Sequence, residues 1–167
     1  MRRLIGWLFL FALGAWFGAW AFRDVQPRTW LTVGRRGVTV SSKELLGYLG
    51  SGATQHAPGL IPDVILETDK TIAMKYPIPW NSRYHFVIVP KRDIRDVGAL
   101  AKGDEPYLVD AFAVIGRLVR ENGMRSYKVI TNGPRQQGVR YLHFHLVSVD
   151  PKGTPSDPRD TLRTNTD

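Results

Sequence analysis

The stretch that decides the fold spans residues 139–147 and reads Val139-Arg140-Tyr141-Leu142-His143-Phe144-His145-Leu146-Val147. In a β-strand, successive side chains point to opposite faces of the sheet. A strand here therefore turns three apolar side chains toward a core, namely Leu142, Phe144 and Leu146. The opposite face carries Tyr141, His143 and His145. This alternation predicts a half-buried strand with two imidazoles about 7 Å apart, close enough to contact two parts of one small ligand.

Imidazole is the side chain that can act as a nucleophile, a proton carrier or a metal ligand at neutral pH. A further one, His85, lies in the apolar run 84–89 (YHFVIV), and three imidazoles converge if the two strands are neighbours. Two other interpretations stay open. The pair can be a solvated strand edge, or His85, His143, His145 and His56 can hold zinc. No Asp, Glu or Cys stands at a typical ligand spacing beside them, so the sequence favours neither a metal nor another cofactor.

The remaining patterns predict an α+β fold, an antiparallel sheet with one long helix packed on one face. Short apolar runs bounded by turn residues predict strands at 64–66, 71–74, 84–89, 127–131 and 139–149. The helix is predicted to begin at Asp104 as N-cap and to end at Gly123. Its core face is predicted from residues at helical spacing, which are Leu108, Phe112, Ile115 and Val119.

Two less regular segments flank this domain, which is assigned to residues 61–150. Residues 23–60 are predicted to be a connector with one short helix, 43–49, which Gly50-Ser51-Gly52 is expected to end. Residues 151–167 are rich in Pro, Thr, Asp and Arg, and they are predicted to form a disordered polar tail.

The N-terminal residues 4–22 read LIGWLFLFALGAWFGAWAF, without a charge or a proline. A helix of this length approaches the ~30 Å hydrocarbon core of a bilayer. Residues 1–22 are therefore predicted to be a single-pass transmembrane anchor in contact with the lipid bilayer. A cleavable signal peptide is the alternative, because Ala19-Trp20-Ala21 fits the small-x-small cleavage pattern.

The side of the membrane is left open, with a preference for the extracytoplasmic side. The short basic N-terminus formed by Arg2 and Arg3 favours export of the domain. Basic residues beyond the helix favour its retention in the cytoplasm, and these are Arg23, Arg28, Arg35, Arg36 and Lys43. Gly14 and Gly18 form a small-residue face on which two such helices can pair.

Composition narrows the classes of function. The chain has 167 residues, room for one domain and an appendage. It has no cysteine, which excludes disulfides, thiolate zinc sites and cysteine nucleophiles. Its formal net charge of +8 suits anionic partners such as phosphate groups or anionic lipid. No basic platform with interleaved aromatics is visible, so nucleic acid is not an expected partner.

Residues 61–149 resemble the histidine-triad (HIT) family, and are closest to its Hint-type nucleotidyl hydrolase branch. Ile61-Pro62 precedes the first strand, and 84–91 (YHFVIVPK) is similar to the family's T-H-F-L-V-I-P-K strand. After the long helix come 129–133 (VITNG) and 137–139 (QGV), which leads into the histidine strand. The resemblance implies a sheet-plus-helix domain, usually paired as a homodimer, that binds a nucleotide or related phosphoester.

The resemblance also implies roles for single residues. In the family's triad, His-x-His-x-His, the middle histidine attacks the α-phosphorus. His143 falls at this nucleophile position, His145 falls at the third position, and His85 matches a histidine that supports the triad. These three are the implied catalytic residues. The implied substrate-binding residues are Asn132, Gln137, Gly138 and Tyr141.

Three departures from the family pattern leave two functions open, an active enzyme and a catalytically degenerate scaffold. Tyr141 stands where the first triad histidine belongs, and Gly138 stands where Hint-type enzymes carry a serine that assists the leaving group. The Lys75-Tyr76-Pro77 region, which aligns with the acid that grips the ribose, has no carboxylate. Loss of that acceptor removes a hydrogen bond worth about 1.5–3 kcal/mol.

The chain is accordingly predicted to be a membrane-anchored HIT protein that hydrolyses or transfers a phosphoester through a nucleotidyl intermediate on His143. A lipid-linked nucleotide is the substrate that would explain the tether. The alternative is a catalytically degenerate HIT scaffold that serves as a binding or accessory subunit of a membrane protein complex.

Overall fold

This computed structural model describes residues 2–34, 37–76 and 82–149. Arg35, Arg36 and Pro77, together with the predicted tail 151–167, lie outside the described residues. The helices are α1 (Arg2–Ala21), α2 (Ser42–His56) and α3 (Glu105–Glu121), with short 3-10 turns at Pro58–Leu60 and Val97–Ala99. The strands are β1 (Leu31–Gly34), β2 (Gly37–Val40), β3 (Val64–Glu67), β4 (Thr71–Lys75), β5 (His85–Pro90), β6 (Tyr127–Ile130) and β7 (Phe144–Ser148).

Five strands form one antiparallel sheet in the order β3-β4-β5-β7-β6. The predicted α+β class is confirmed. One face of this sheet packs against α3, and the core between them contains Phe86, Ile88, Phe144 and Leu146 from the strands. Leu142 is also fully buried there, so the apolar half of the predicted alternation lies in the core as expected.

The helix α3 follows the predicted span, and most of its predicted core face is confirmed, because Ile115 is buried and Leu108 and Val119 pack against the core. Ala111, Val114, Ile115 and Leu118 are its buried residues, whereas Phe112 is 53% exposed. Phe112 therefore lies at the edge of the core face, where its ring centroid is 5.3 Å from that of Phe144.

The predicted N-cap position of Asp104 is confirmed. Asp104 occupies the N-cap position of α3, but its carboxylate accepts from the backbone N–H of Ala101 and pairs with Arg92 instead of capping the helix. The predicted end of the helix is confirmed by Gly123, whose φ of 56° lies in the left-handed region that favours glycine.

The connector is more ordered than predicted. Residues 31–40 contain a two-stranded hairpin, β1–β2, in which β-branched residues pair across the strands. The helix α2 does not end at Gly50-Ser51-Gly52 but continues to His56. Glycine is retained inside this helix because it permits close packing: a Cβ added at Gly52 would lie 2.8 Å from the Phe22 ring, and one at Gly47 would lie 2.7 Å from the Arg140 carbonyl oxygen.

A buried ion pair fastens the connector to the domain. The Arg28 side chain is fully buried and donates both to the Asp93 carboxylate and to the Arg140 carbonyl oxygen. The backbone N–H of Gln26 also donates to Asp93, at 2.6 Å. Burial raises the pKa of the Asp93 carboxyl, although the Gln26 N–H and the Arg28 charge act in the opposite direction. The Arg140 N–H donates in turn to the carbonyl of Lys43 in α2, at 3.3 Å.

The helix α1 has the length and composition of a membrane span. Residues Arg3–Ala21 form the one candidate within the described part of the chain, and none of its apolar window is buried against the rest of the protein. Contacts begin only at its end, where the ring of Trp20 lies 4.9 Å from that of His56 and the ring of Phe22 stacks on Tyr48 at 4.4 Å.

Substitution of Arg28 by Met is expected to lower the free energy of unfolding by about 3–5 kcal/mol, because it leaves Asp93 buried without its counter-ion. Urea denaturation of the full chain in detergent micelles, followed by circular dichroism, measures this change. The Arg28→Met/Asp93→Leu double variant is expected to recover part of the loss.

Arg23→Met is the matched control. Arg23 pairs with Asp24, but their side chains are 64% and 55% exposed, so the expected loss is below about 0.5 kcal/mol. Equal losses for the two single variants would contradict the fastening role of Arg28.

Candidate functional site

Two neighbouring strands bring histidines together on the sheet face that does not pack on α3. β5 and β7 pair with Val87 opposite His145 and His85 opposite Val147. His85 and His145 are thus diagonal neighbours on one face, and such pairs are within reach of ring side chains. His85 Nε2 and His145 Nδ1 lie 2.9 Å apart and share one hydrogen bond.

His143 joins this pair just before β7 begins. Its ring centroid lies 5.0 Å from that of His145. Residues 139–143, predicted as strand, form an irregular segment instead, because their N–H groups bond elsewhere: the N–H of Leu142 donates to the carbonyl of Ile94. The alternation of faces nevertheless persists, with Leu142 in the α3 core and Tyr141 in a second apolar cluster on the opposite face.

A backbone contact determines the tautomer of His143. Its Nδ1 lies 2.7 Å from the carbonyl oxygen of Tyr141. Because a carbonyl oxygen can only accept, Nδ1 carries the proton. In the neutral ring, Nε2 then has the lone pair, and this is the atom that can attack an electrophile.

The paired histidines are held in their neutral forms. Burial, followed by the neighbouring rings of His143 and His85, lowers the pKa of His145 to about 4. Burial also lowers the pKa of His85. At neutral pH the His85–His145 hydrogen bond therefore joins two uncharged imidazoles, one donating and one accepting.

Tyr141 does not direct its hydroxyl toward the histidines. The phenol is buried, and its O–H donates to the Pro90 carbonyl oxygen at 2.8 Å. Burial raises the pKa of this phenol well above its ordinary value. Tyr141 therefore contributes a ring wall beside His143 and cannot supply the imidazole chemistry of a first triad histidine.

The loop between β6 and β7 contains the other residues that the sequence singled out. The Gln137 side chain is buried and its amide nitrogen donates to the Arg95 carbonyl at 3.0 Å, so this side chain supports the loop from inside. Gly138 is exposed, and a Cβ added there would meet no atom within 4 Å. Asn132 lies two residues beyond Ile130, the partner of His145, and so at the His143 end of the sheet.

Tyr76 is a site residue that the sequence analysis did not single out. It follows β4, and its ring centroid lies 4.2 Å from that of His85 and 5.5 Å, edge to face, from that of His145. An aromatic ring thus lies beside the histidines in the region where the family carries its ribose-binding acid. The sequence signal for Tyr76 is its position directly after a predicted strand, in the region that aligns with the ribose-binding acid. The sequence alone indicated only the absence of a carboxylate in that region.

A cavity of about 320 Å³ lies in front of the histidines. Its walls are apolar apart from the imidazoles and a few hydroxyl groups. They come from α2 on one side and from the sheet on the other. The lining residues are Gly50, Ala53, Thr54, Ile61, Met74, Tyr76, Val87, Val89, Val139, Tyr141, His143 and His145.

The zinc alternative gains no support from the described residues, among which no group of three His, Cys, Asp or Glu is placed to hold a metal ion. His56, which the alternative included, packs against Trp20 at the end of α1. Among the other three imidazoles, His85 and His145 share a hydrogen bond with each other, and His143 donates to the backbone carbonyl of Tyr141.

Comparison with solved structures identifies the fold. A HIT family hydrolase from Legionella pneumophila Philadelphia 1 is 23% identical, with a TM-score of 0.53 over 62% of this chain and 96% of that one. A HIT family hydrolase from Clostridium thermocellum is 24% identical, with a TM-score of 0.53 over 61% and 92%. A histidine triad protein from Clostridium difficile is 24% identical, with a TM-score of 0.52 over the same shares.

These likenesses establish the HIT fold, and the more specific Hint-type branch remains a prediction. No curated protein matches the chain. The family model described as scavenger mRNA decapping enzyme C-term binding matches residues 59–157, more than half of the chain. The protein therefore belongs to this family, and its matched part has the histidine-triad fold.

Proposed function

We propose that this protein is a membrane-anchored hydrolase or transferase that cleaves a phosphoester or phosphoanhydride through a covalent intermediate on His143. The observation that carries the proposal is the contact between His143 Nδ1 and the Tyr141 carbonyl oxygen, which leaves Nε2 as the nucleophilic atom beside a cavity. Membership in a family with the HIT fold supports a nucleotide or phosphoester as the ligand.

The reaction has two steps. His143 Nε2 attacks phosphorus, an N–P bond forms, and the bond to the leaving oxygen breaks, with its electron pair passing to that oxygen. Water then attacks the same phosphorus, an O–P bond forms, and the N–P bond breaks with its electron pair returning to Nε2. The proton that the water loses passes to solvent, and the imidazole is restored. A transferase would use an acceptor hydroxyl in place of water.

His145 acts as the phosphate-side partner in this proposal. If His85 Nε2 donates to His145 Nδ1, then His145 Nε2 carries a proton and can donate to a phosphoryl oxygen, where charge develops. The lowered pKa keeps this ring neutral at pH 7 with a single proton, so Nε2 carries that proton when Nδ1 accepts from His85.

The leaving group receives little help in this site. Gly138 has no side chain, and the Tyr141 hydroxyl is bonded to the Pro90 carbonyl. Substrates whose leaving group is stable as an anion, such as a phosphate, are therefore favoured over phosphoramidates, whose amine must be protonated before it departs.

A second candidate function rests on the hydrogen bond from the Tyr141 hydroxyl to the Pro90 carbonyl. Because the first triad position is occupied by a phenol bonded into the core, the domain can instead be a degenerate HIT scaffold that binds a ligand or a membrane complex without turnover. The homodimer implied by the family resemblance, and pairing through Gly14 and Gly18, remain predictions under either function.

Substitution of His143 by Ala is expected to lower turnover by on the order of 10³-fold or more, because the nucleophile is lost. The test incubates the full chain with nucleoside 5′-diphosphate esters, quenches with alkali to preserve phosphoramidates, and locates the adduct by mass spectrometry. The adduct is expected on His143 in the wild type.

His56→Ala is the control for this experiment, since His56 packs on Trp20 and does not line the cavity. It is expected to retain turnover. A wild type that binds these esters but forms no adduct and turns over no faster than His143→Ala would favour the degenerate scaffold.

Gly138→Ser is expected to raise the turnover of phosphoramidates by about 10-fold, the effect of one added hydrogen bond to a leaving group. The open space around Gly138 accommodates the side chain. The control is Gly133→Ser in the same loop, where an added Cβ also meets no atom within 4 Å. Equal rates for the two variants would mean that position 138 does not face the leaving group.

The membrane anchor is proposed from the exposure of α1. A helix of this composition with none of its apolar window buried is not a core helix of the domain, and it needs a lipid environment. The full-length protein is expected to stay in the membrane pellet after an alkaline carbonate wash. Recovery of a soluble form that begins at Phe22 would identify a cleaved signal peptide instead.

A further inference from the structure

We propose that the substrate of this site carries an aliphatic chain on the phosphorus that His143 attacks, and that this chain lies in the 320 Å³ cavity between α2 and the sheet. This inference rests on the proposed function and names its substrate class. The ligand is thus an amphiphilic phosphoester or diphosphate, drawn from or near a bilayer.

The first argument is the chemistry of the cavity. Its walls away from the histidines are side chains such as Ile61, Met74, Val87 and Val89, and no carboxylate or ammonium group is among the described lining residues. A nucleoside buried here would leave ring nitrogens, carbonyls and ribose hydroxyls without partners, each at a cost of about 1–3 kcal/mol. An aliphatic chain has no such groups and gains free energy from burial.

The second argument is the origin of one wall. Gly50, Ala53 and Thr54 belong to α2, which ends at His56, before the family match begins at residue 59. The cavity is therefore partly built by a segment outside the family domain. The bond from the Arg140 N–H to the Lys43 carbonyl and the ion pairs of Glu44 with Arg28 and Arg140 hold that segment against the domain.

The third argument is the position of this wall relative to α1. Two α2 side chains, Tyr48 and His56, contact Phe22 and Trp20 at the end of the apolar helix. A helix with its side chains is about 10–12 Å across. The cavity therefore lies about one helix diameter from the end of α1, so a chain that leaves a bilayer can enter the cavity while its phosphate reaches His143.

The bond changes follow the mechanism above. His143 Nε2 forms a bond to the chain-bearing phosphorus, and the leaving group departs with the electron pair of its P–O bond. Water then displaces the imidazole and releases a monoalkyl phosphate. The alkyl group remains on phosphorus throughout, so the cavity holds it in both steps.

The test uses p-nitrophenyl diesters of ethyl, hexyl and decyl phosphate, with p-nitrophenyl thymidine 5′-phosphate as the nucleoside comparator. The full chain is assayed in phosphatidylcholine nanodiscs, and release of p-nitrophenolate gives kcat/KM. Because each buried methylene contributes up to about 4-fold, the increase from ethyl to hexyl is expected to be between about 10- and 100-fold. The thymidine ester is expected to react more slowly than the hexyl ester.

Gly50→Leu tests whether the cavity is responsible. An added Cβ at Gly50 meets no atom within 4 Å, and leucine favours helix over glycine, so the variant is expected to fold with its side chain filling the cavity. For this variant, the ratio of kcat/KM for the hexyl ester to that for the ethyl ester is expected to fall at least 5-fold. Ala53→Leu fills the same side and provides a second variant.

Ala113→Leu, on the exposed face of α3, is the control and is expected to keep the wild-type ratio. Partition of the longer esters into the nanodisc affects all variants equally. A hexyl-to-ethyl ratio of kcat/KM that falls only in the α2 variants therefore shows that the chain lies in the cavity.

The failures of the two proposals are distinguishable. A flat chain-length series with turnover of the thymidine ester overturns the aliphatic substrate and leaves the His143 mechanism standing. A chain-length effect that survives in both α2 variants overturns the cavity as the site of the chain. Absence of turnover for every ester, with no adduct on His143, overturns the proposed function and this inference together.

Discussion

The rest of the structure depends on the alternation of side chains around His143. Leu142, Phe144 and Leu146 are drawn into the core under α3 by the hydrophobic effect, and their burial determines which way the residues between them point. His143 and His145 consequently face the opposite side of the sheet. A shift of the strand register by one residue would bury the imidazoles in an apolar core and expose Leu142, Phe144 and Leu146. The free energy gained by burying these apolar side chains therefore holds the histidines on the opposite face.

The electrostatic state of the site follows from this arrangement. The rings of His85 and His145 are half-buried on this face, and desolvation is the largest cause of the lowered pKa of both. The same face brings His85 Nε2 within hydrogen-bond distance of His145 Nδ1. The Tyr141 carbonyl orients His143 independently, through backbone that is tied to the domain by Leu142. The tautomer of His143 and the neutral state of His85 and His145 thus both follow from the register of β7 in the sheet.

The connector adds a wall to the cavity beside the histidines. In the matched region alone, the histidine face would be open on the side where α2 lies. The bond from the Arg140 N–H to the Lys43 carbonyl holds α2 against the domain, and Gly47 permits its close approach to the Arg140 backbone. The resulting cavity is apolar, and α2, which forms one of its walls, also contacts Phe22 and Trp20 at the end of α1. A segment outside the family match therefore supplies a wall of the site as well as the link to the apolar helix.

The sequence by itself determined the α+β class, the strands of the domain, the span of α3 and the apolar half of the alternation, because these follow from periodicity and turn residues over short ranges. It also indicated the apolar helix. Tertiary structure alone decided the rest. The continuation of α2 to His56 depends on partners far along the chain, and so do the positions of the Gln137 amide and the Tyr141 hydroxyl. Tyr76 became a site residue only because β4 lies beside β5, a pairing that no local pattern encodes.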